Sequence, residues 1–394
     1  MNMQYRPDPK TGAPLSILGM GCMRFPANTD KTEQLIMQAI DAGINYFDTG
    51  YIYGHSEEKL GEALRRNNAR DKVYISTKLP VILLRKAEDI DRIFQIQLKR
   101  LQTDHIDYYL MHMLTDAARW DKLRAWGIEE WIAKQKAAET IGQIGFSYHG
   151  GRQDFIDLLD AYDWDACMIQ YNYYDENNQA GMAGLKRAKE KGLPVIIMEP
   201  LLGGKLATGL PQKAVNAFKK ADPNLTPAGW ALRWLWNQPE VTVVLSGMSD
   251  ETQLAENVKT AANARPVMLN DRQLAVYGAV RETMKHTKEI PCTGCHYCMP
   301  CPRGVNIPLC FSSYNTSRNI GYVTGLKLYV MGAGMVSTKA ETGSARRCNE
   351  CGRCEPHCPQ GIAIRRDLRT VRKRLEPFWV RGIMALARKF VIRD

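Results

Sequence analysis

What this 394-residue chain lacks narrows it first. No apolar run opens it: residues 1–14 are polar, and nothing there resembles a signal peptide. No apolar stretch reaches the length that spans a bilayer. Cysteine is nearly missing from the first 290 residues, where only Cys22 and Cys167 occur. No GxGxxG follows an early strand-like segment, which weighs against a dinucleotide fold of the open, doubly wound kind. Acidic residues are scarce at the far end: residues 361–394 hold ten Lys/Arg and three Asp/Glu. That net +7 is most of the +11 of the whole chain, so the basic excess is local. No recognised nucleic-acid motif accompanies it, and no nucleic-acid partner is expected.

What is present is ordinary for a globular protein, with 45% hydrophobic and 24% charged residues in a length that suits two domains. The other nine cysteines crowd between Cys292 and Cys358. Without a signal-like start, such a cluster reads as an intracellular metal framework and not as a disulfide scaffold, so a cytoplasmic protein is expected.

The first 285 residues alternate strand-like and helix-like segments. Strands are expected at 17–20, 44–48, 73–78, 106–112, 141–147, 166–170, 195–199 and 241–246. Helices are expected at 32–42, 56–65, 91–101, 131–138, 152–161, 182–191, 227–236 and 251–262, the first starting from Asp30-Lys31-Thr32-Glu33. Eight such pairs predict an α/β fold, a (β/α)8 TIM barrel over residues 1–285. A small, mainly α-helical iron–sulfur domain is expected over 286–375 and a basic amphipathic tail over 376–394. Polar residues close seven strands in turn: Asp48, Lys78, His112, Ser147, Gln170, Glu199 and Ser246. In a closed parallel barrel those ends meet on one face, where barrel enzymes keep their chemistry. The bland reading of any one of them is a solvated cap or a satisfied core polar group.

The stretch Phe47-Asp48-Thr49-Gly50-Tyr51-Ile52-Tyr53-Gly54 ends a buried strand with an acid and carries a tyrosine in a glycine-flanked loop. Residues 47–64 resemble the first signature of the aldo-keto reductase family, 104–112 the second, and the run from Gln253 to Asn257 the third. The resemblance covers roughly residues 14–265 and implies a catalytic tetrad of Asp48, Tyr53, Lys78 and His112. Residue chemistry suits those roles. A free tyrosine has a pKa of ~10, too high for an efficient acid at neutral pH. An adjacent ammonium favours the phenolate, so Lys78 can activate Tyr53 while Asp48 holds Lys78 charged. His112 can orient the substrate oxygen. The competing reading is a buried Asp–Lys pair that braces the barrel.

The cofactor positions implied by the resemblance match less closely. Ser147 is kept after strand 5, but the family's following Asn is replaced, the run being Ser147-Tyr148-His149. Gln170 matches after strand 6. Glu199 stands where the family offers a stacking tyrosine. Ser246-Gly247-Met248-Ser249-Asp250 has no base for the 2′-phosphate of NADP and carries one acid. Gly203-Gly204-Lys205 after strand 7, and Arg24 after Gly21, are candidate phosphate contacts. NAD(P)H and a flavin such as FMN both stay open as the barrel's cofactor.

Cys292, Cys295, Cys298 and Cys301-Pro302 form one run, and Cys348, Cys351, Cys354 and Cys358-Pro359 another. Three cysteines at three-residue steps present thiolates to three irons, and the proline-linked fourth ligates the other cluster. One [4Fe–4S] cluster is therefore expected on Cys292, Cys295, Cys298 and Cys358, the other on Cys348, Cys351, Cys354 and Cys301. Zinc prefers paired CxxC units brought from two places. The domain resembles the α-helical ferredoxin type. Cys310 is expected to pack, and His296 and His357 to face solvent.

The expected function is an oxidoreductase acting on a small-molecule carbonyl/alcohol pair, with Tyr53 moving the proton. Its electrons would pass through two [4Fe–4S] clusters, with a flavin as a two-to-one-electron converter. The alternatives are an ordinary NAD(P)H-dependent reductase with structural or regulatory clusters, and an electron-transfer or docking protein that is not an enzyme. The basic amphipathic tail allows three partners: an acidic electron carrier of ferredoxin or flavodoxin type, a membrane surface, or the protein's own core.

Overall fold

The computed structural model describes residues 2–285, 290–319, 321–330 and 343–380. The chain divides into two compact units, Met1–Leu201 with Ala221–Ala275, and Leu202–Lys220 with Val276–Asp394.

The first unit is a closed barrel of eight parallel strands. They are β1 Leu18–Gly21, β2 Tyr46–Asp48, β3 Tyr74–Leu79, β4 Ile106–Leu114, β5 Ile141–Tyr148, β6 Ala166–Gln170, β7 Val195–Met198 and β8 Val243–Ser246, with β8 paired to β1. Each is a short run of mostly apolar residues covered on both faces, as a parallel barrel requires. Tyr46, Tyr108, Leu110, Met168, Ile196 and Val243 pack into one cluster, so the barrel interior is a filled core. A short antiparallel hairpin, Tyr5–Pro7 with Pro14–Ser16, precedes β1, and the Asp8 carboxylate between its strands accepts a hydrogen bond from the Tyr108 hydroxyl.

All eight predicted strands and helices are present, within a few residues of their expected bounds. The first helix starts earlier than expected, at Thr29, because Asn28 caps it by accepting from the Lys31 amide at 2.8 Å. Among the described residues of this region, four α-helices were not anticipated: Ala117–Arg124, Lys205–Thr208, Gln212–Ala221 and Asp271–Lys285. The first buries only Trp120 and Leu123, too sparse a pattern to read as a periodic face.

The second unit packs helices Ile307–Asn319, Tyr322–Tyr329 and Ile364–Leu375 around Val305, Phe311 and Tyr329. In the last helix Ile364, Leu368, Val371 and Leu375 are buried at helical spacing, while Arg365, Arg366, Arg369, Arg372 and Lys373 lie outside the core. The apolar stripe of this stretch thus covers its own protein. Burying four such side chains contributes about 1.5–3 kcal/mol each before conformational entropy is subtracted. Glu376, also buried, accepts hydrogen bonds from the hydroxyls of Tyr329 and Ser344. The remaining tail, 381–394, and the linker at 286–289 lie outside the described residues. Among the described residues no helix is long and apolar enough to cross a membrane.

Candidate functional site

The four residues of the expected tetrad lie together at the C-terminal ends of β2, β3 and β4. Lys78 reaches across from β3 and donates to both oxygens of Asp48, at 2.7 Å each, and to the Thr49 carbonyl. Ser76, two residues earlier on the same face of β3, donates to Asp48 at 3.1 Å. The Lys78 ammonium lies 4.8 Å from the centre of the Tyr53 ring. The His112 ring stands edge-on to Tyr53, with centroids 5.7 Å apart. Asp48, Lys78 and His112 are all buried, whereas Tyr53 is half-buried. Burial pushes the Asp48 carboxyl up, against the charge and hydrogen bonds of Lys78 and Ser76. Burial also holds His112 well below the usual imidazole range, and Lys78 and His149 add to the effect. His112 is therefore neutral and offers one N–H donor.

Local structure explains how Tyr53 arrives there. The loop leaves β2 with the Thr49 amide donating to the Ser76 carbonyl, turns through Tyr53 N–H to Gly50 O at 2.9 Å, and enters the helix Ser56–Arg66. A Cβ on Gly50 would lie 3.2 Å from the Tyr53 ring, and Gly54 has φ +60°, so both glycines serve this turn. Cys22, expected in the core, is fully buried near Asp48; burial, then Asp48, push its thiol up, so it is not a ready nucleophile.

The cofactor candidates separate into groups. The Ser147 hydroxyl accepts from the Met113 amide at 2.9 Å, where the β4–β5 register shifts between Met111 and Leu114. Gln170 is held between Gln179 and Asp175, at 3.3 and 3.4 Å, and Gln179 also meets the His149 ring at 3.2 Å. Burial lowers the His149 pKa to about 4. Glu199 lies just past β7 with φ +55°, and its carbonyl accepts from Asn172. Ser246 accepts from Asn257 at 3.0 Å, so its hydroxyl is turned toward the following helix. Asp250, the acid of this loop, caps that helix by accepting from the Gln253 amide, and also takes the Gln253 side chain. The Ser249 amide donates to Gln253, and Gly247 and Met248 complete this loop. Gly21 ends β1 beside Asp48, and Arg24 is exposed at the end of the short turn Cys22–Arg24.

Gly203, Gly204 and Lys205 belong to the second unit. Gly203 and Gly204 have φ +66° and +95°, and a Cβ on Gly203 would fall 2.4 Å from the Thr293 carbonyl. Lys205 donates to the Ile290 carbonyl at 3.1 Å, which Asn315 also engages. The glycines thus let this loop pack beside the first cysteine run, which a sequence reading of a phosphate loop did not foresee.

Among the described residues no disulfide joins the cysteines. Cys292, Cys295, Cys298 and Cys358 line one cavity, closed on its other sides by apolar groups such as Ile307, Phe311 and Ile362. Burial pushes the Cys298 thiol up to about 12, with Cys292, Cys295 and Cys358 as the neighbouring charges that add to it. Burial raises Cys354 to about 11, and its sulfur neighbours are Cys348 and Cys301. The first grouping holds the four cysteines expected on one cluster, and the second holds three of the four expected on the other. A pocket lined by four thiols among mostly apolar groups fits an iron–sulfur cluster, which needs thiolate ligands. Cys351 is exposed. Cys310 is buried in the unit's core, and His296 and His357 are exposed, each as expected.

Sequence reasoning missed the residues behind the tetrad. Ser76 was legible from its two-residue spacing to Lys78, but the approach of His149 to His112 was not, because it depends on β4 and β5 being neighbours.

Comparisons with known proteins agree with this geometry. Residues 17–267 match the description "Aldo/keto reductase family", and residues 291–363 match "4Fe-4S dicluster domain". The chain is 29% identical over 308 residues to the uncharacterized oxidoreductase YrpG of Bacillus subtilis (strain 168), covering 65% of this chain and 90% of that protein. The barrel fold is shared with an aldo-keto reductase from Bacillus halodurans in its holo form (TM-score 0.59, 23% identity, 71% of this chain and 96% of that one). It is shared equally with an aldo-keto reductase from Klebsiella pneumoniae in complex with NADPH (TM-score 0.59, 23% identity, 71% and 96%). The chain therefore belongs to the aldo/keto reductase family, as an oxidoreductase whose barrel is followed by a 4Fe-4S dicluster domain.

Proposed function

We propose that the barrel interconverts a small-molecule carbonyl and its alcohol with NADPH, and that the eight cysteines hold two [4Fe–4S] clusters that exchange electrons with an acidic carrier. The observation that carries the reading is the Lys78 ammonium, held by both Asp48 oxygens and set 4.8 Å from the Tyr53 ring. When bound, the nicotinamide supplies hydride and the clusters supply or accept single electrons. Tyr53 gives its hydroxyl proton to the carbonyl oxygen in reduction and takes one back in oxidation. The neighbouring Lys78 charge favours the phenolate and so makes Tyr53 a stronger acid than a free phenol. Asp48 keeps that charge in place. The neutral His112 ring donates its N–H to the substrate oxygen and sets its angle to Tyr53.

We assign Ser147 and Gln170 to the nicotinamide amide. Gly21, Arg24, Glu199, Ser246, Gly247, Met248, Ser249, Gln253 and Asn257 are assigned to the rest of the dinucleotide. NADPH is favoured because a family member of the same fold is described in complex with it. The relatives lend a flavin no support, and the loop expected for its phosphate is engaged with Thr293 and Ile290.

On the second unit, exposed Arg303, Arg346 and Arg353 stand in sequence beside ligands Cys301, Cys348, Cys351 and Cys354. An acidic carrier of ferredoxin or flavodoxin type suits such a face, since complementary charge speeds encounter. Free thiols and such clusters suit a reducing cytoplasm.

Anaerobically purified protein tests the reading. NADPH should bind in a fluorescence titration, and Tyr53→Phe should cut NADPH-dependent carbonyl reduction by ~10²–10⁴ without changing NADPH affinity. Full activity in Tyr53→Phe would sink the proton role. Turnover unaffected by dithionite reduction of the clusters would make them structural.

A further inference from the structure

Behind the tetrad, on the outer face of β3, lies a second polar cluster built on a buried carboxylate. Glu57, in the first turn of the helix Ser56–Arg66, is 1% exposed. Its Oε1 accepts from the Thr77 hydroxyl and from Gln97 Nε2, both at 2.7 Å. Its Oε2 accepts from Arg100 at 3.2 Å. The two donors each reach one arm of the site. Gln97 also donates to the Lys78 carbonyl at 3.1 Å, and its own oxygen accepts from the Tyr109 hydroxyl at 2.8 Å. Arg100 also donates to the Tyr51 carbonyl at 3.2 Å, lies 4.4 Å from the centre of the Tyr51 ring, and pairs with Glu58 at 3.2 Å.

One carboxylate is thus tied to the strand that carries Lys78 and to the loop that carries Tyr53. We propose that Glu57, Gln97 and Arg100 are positioning residues that fix the Tyr53–Lys78 separation, and that Arg100 is the clamp on the Tyr53 loop. The inference rests on the proton role proposed for Tyr53.

The physical argument is one of leverage. The Lys78 ammonium is anchored on the lumen side by Asp48, at the end of β2, and by Thr49, the first residue past it. Tyr53 sits on a half-buried loop whose carbonyl at Tyr51, two residues earlier, is held from behind by Arg100. Charge–ring and charge–phenolate interactions weaken with distance in a site screened by protein, so a loop shift of about an ångström changes what Lys78 does to Tyr53. A carboxylate accepts hydrogen bonds only, and here it gathers donors from two elements, which an amide at the same place cannot do equally. The other titratable groups around Tyr53 are His112, with His149 beyond it, and Asp48 behind Lys78.

The test reads the Tyr53 phenol directly, so it needs no substrate. The holoprotein is labelled at the phenolic carbon of tyrosine, and the Tyr53 NMR signal is identified as the one missing in Tyr53→Phe. Its titration midpoint is then followed in the wild type, Arg100→Met, Arg100→Lys and Glu57→Gln. Arg100 is only partly buried, so Arg100→Met is expected to fold even where Glu57→Gln does not. The expected result is a midpoint raised by ~1 pH unit in Arg100→Met, a tenfold loss of acidity, with recovery in Arg100→Lys. A Tyr53 midpoint unchanged in folded Arg100→Met overturns the proposal. A shifted midpoint in a protein that reduces no carbonyl with NADPH would leave the clamp standing and remove the function it was proposed to serve.

Discussion

At the scale of single residues, the site turns on where a charge is kept. Lys78 is almost fully buried, and an isolated ammonium there would cost several kcal/mol. Its two bonds to Asp48 offset that cost only while both partners are present. Asp48→Asn is expected to leave an uncompensated buried ammonium, to destabilise the barrel by about 3 kcal/mol, and to lower turnover more than it lowers cofactor affinity. Thermal unfolding and NADPH titration of the same sample separate the two effects. Lys78→Met removes both charge and donor, and should abolish turnover while Asp48 is left buried without its cation.

His112 and His149 give a pH prediction with a definite sign. Both rings are held below their ordinary pKa by burial, His149 at about 4. The folded protein therefore binds fewer protons than the unfolded chain at mildly acidic pH. Stability is full above the unfolded histidine value of ~6.5 and falls as pH drops below it. For His149 the loss runs from ~6.5 down to about 4. Unfolding free energies from denaturant titrations at pH 7.5 and pH 5 should differ by ~2 kcal/mol for each of the two rings, and so by about half as much in His149→Asn. A midpoint that stays flat over this interval would contradict neutral burial of these rings.

At the scale of elements, the loop after β7 shows a glycine pair serving packing. Gly203 and Gly204 have left-handed backbone, and the Thr293 carbonyl occupies the space a Gly203 side chain would take. Gly203→Ala is expected to destabilise the second unit by at least about 2 kcal/mol and to speed release of cluster iron to a chelator. Gly12, also at positive φ but with nothing near its missing Cβ, supplies the control: Gly12→Ala should leave iron release unchanged.

The helices divide along similar lines. Those with a clear apolar stripe, such as Glu251–Ala262, were legible to the residue. Of those that were missed, Ala117–Arg124 buries only Trp120 and Leu123, too few to print a period. The helix Ile364–Leu375 was legible as basic and amphipathic, but its destination was not. A stripe of Ile364, Leu368, Val371 and Leu375 suits a membrane or a protein core equally until the core is seen.

At the scale of the whole molecule, the crossing expected of the cysteine sets would make the two runs mutually dependent. Cys358 comes from the second run but lines the cavity of Cys292, Cys295 and Cys298. Cys301 comes from the first run and neighbours Cys354 and Cys348 in charge. Cys358→Ser and Cys301→Ser should each lower the iron content of both clusters, because binding and folding of such a domain are coupled. Iron and sulfide analysis with EPR of the reduced protein checks this. Loss in Cys358→Ser of the Cys348, Cys351 and Cys354 cluster alone, with the other fully retained, would refute the crossing. The barrel, with its own core, should keep its thermal transition in both variants.

The candidate site residues were legible without coordinates, because the chemistry proposed for them demands residue types at set spacings. Asp48 at a strand end, Tyr53 in a glycine-flanked loop and eight cysteines at three- and four-residue steps are patterns in one dimension. Eight alternations of apolar strand and amphipathic helix likewise predict a barrel, since that closure buries every strand. Contacts between residues distant in the chain were decided only by the tertiary structure. Gln97 and Arg100 meet Glu57 because one helix packs on another. Asp250 serves as a helix cap, and Lys205 reaches the Ile290 carbonyl. Such contacts follow from which surfaces are pressed together when the core closes, and a hydrogen bond between residues 40 or 85 apart leaves no periodic trace in the sequence.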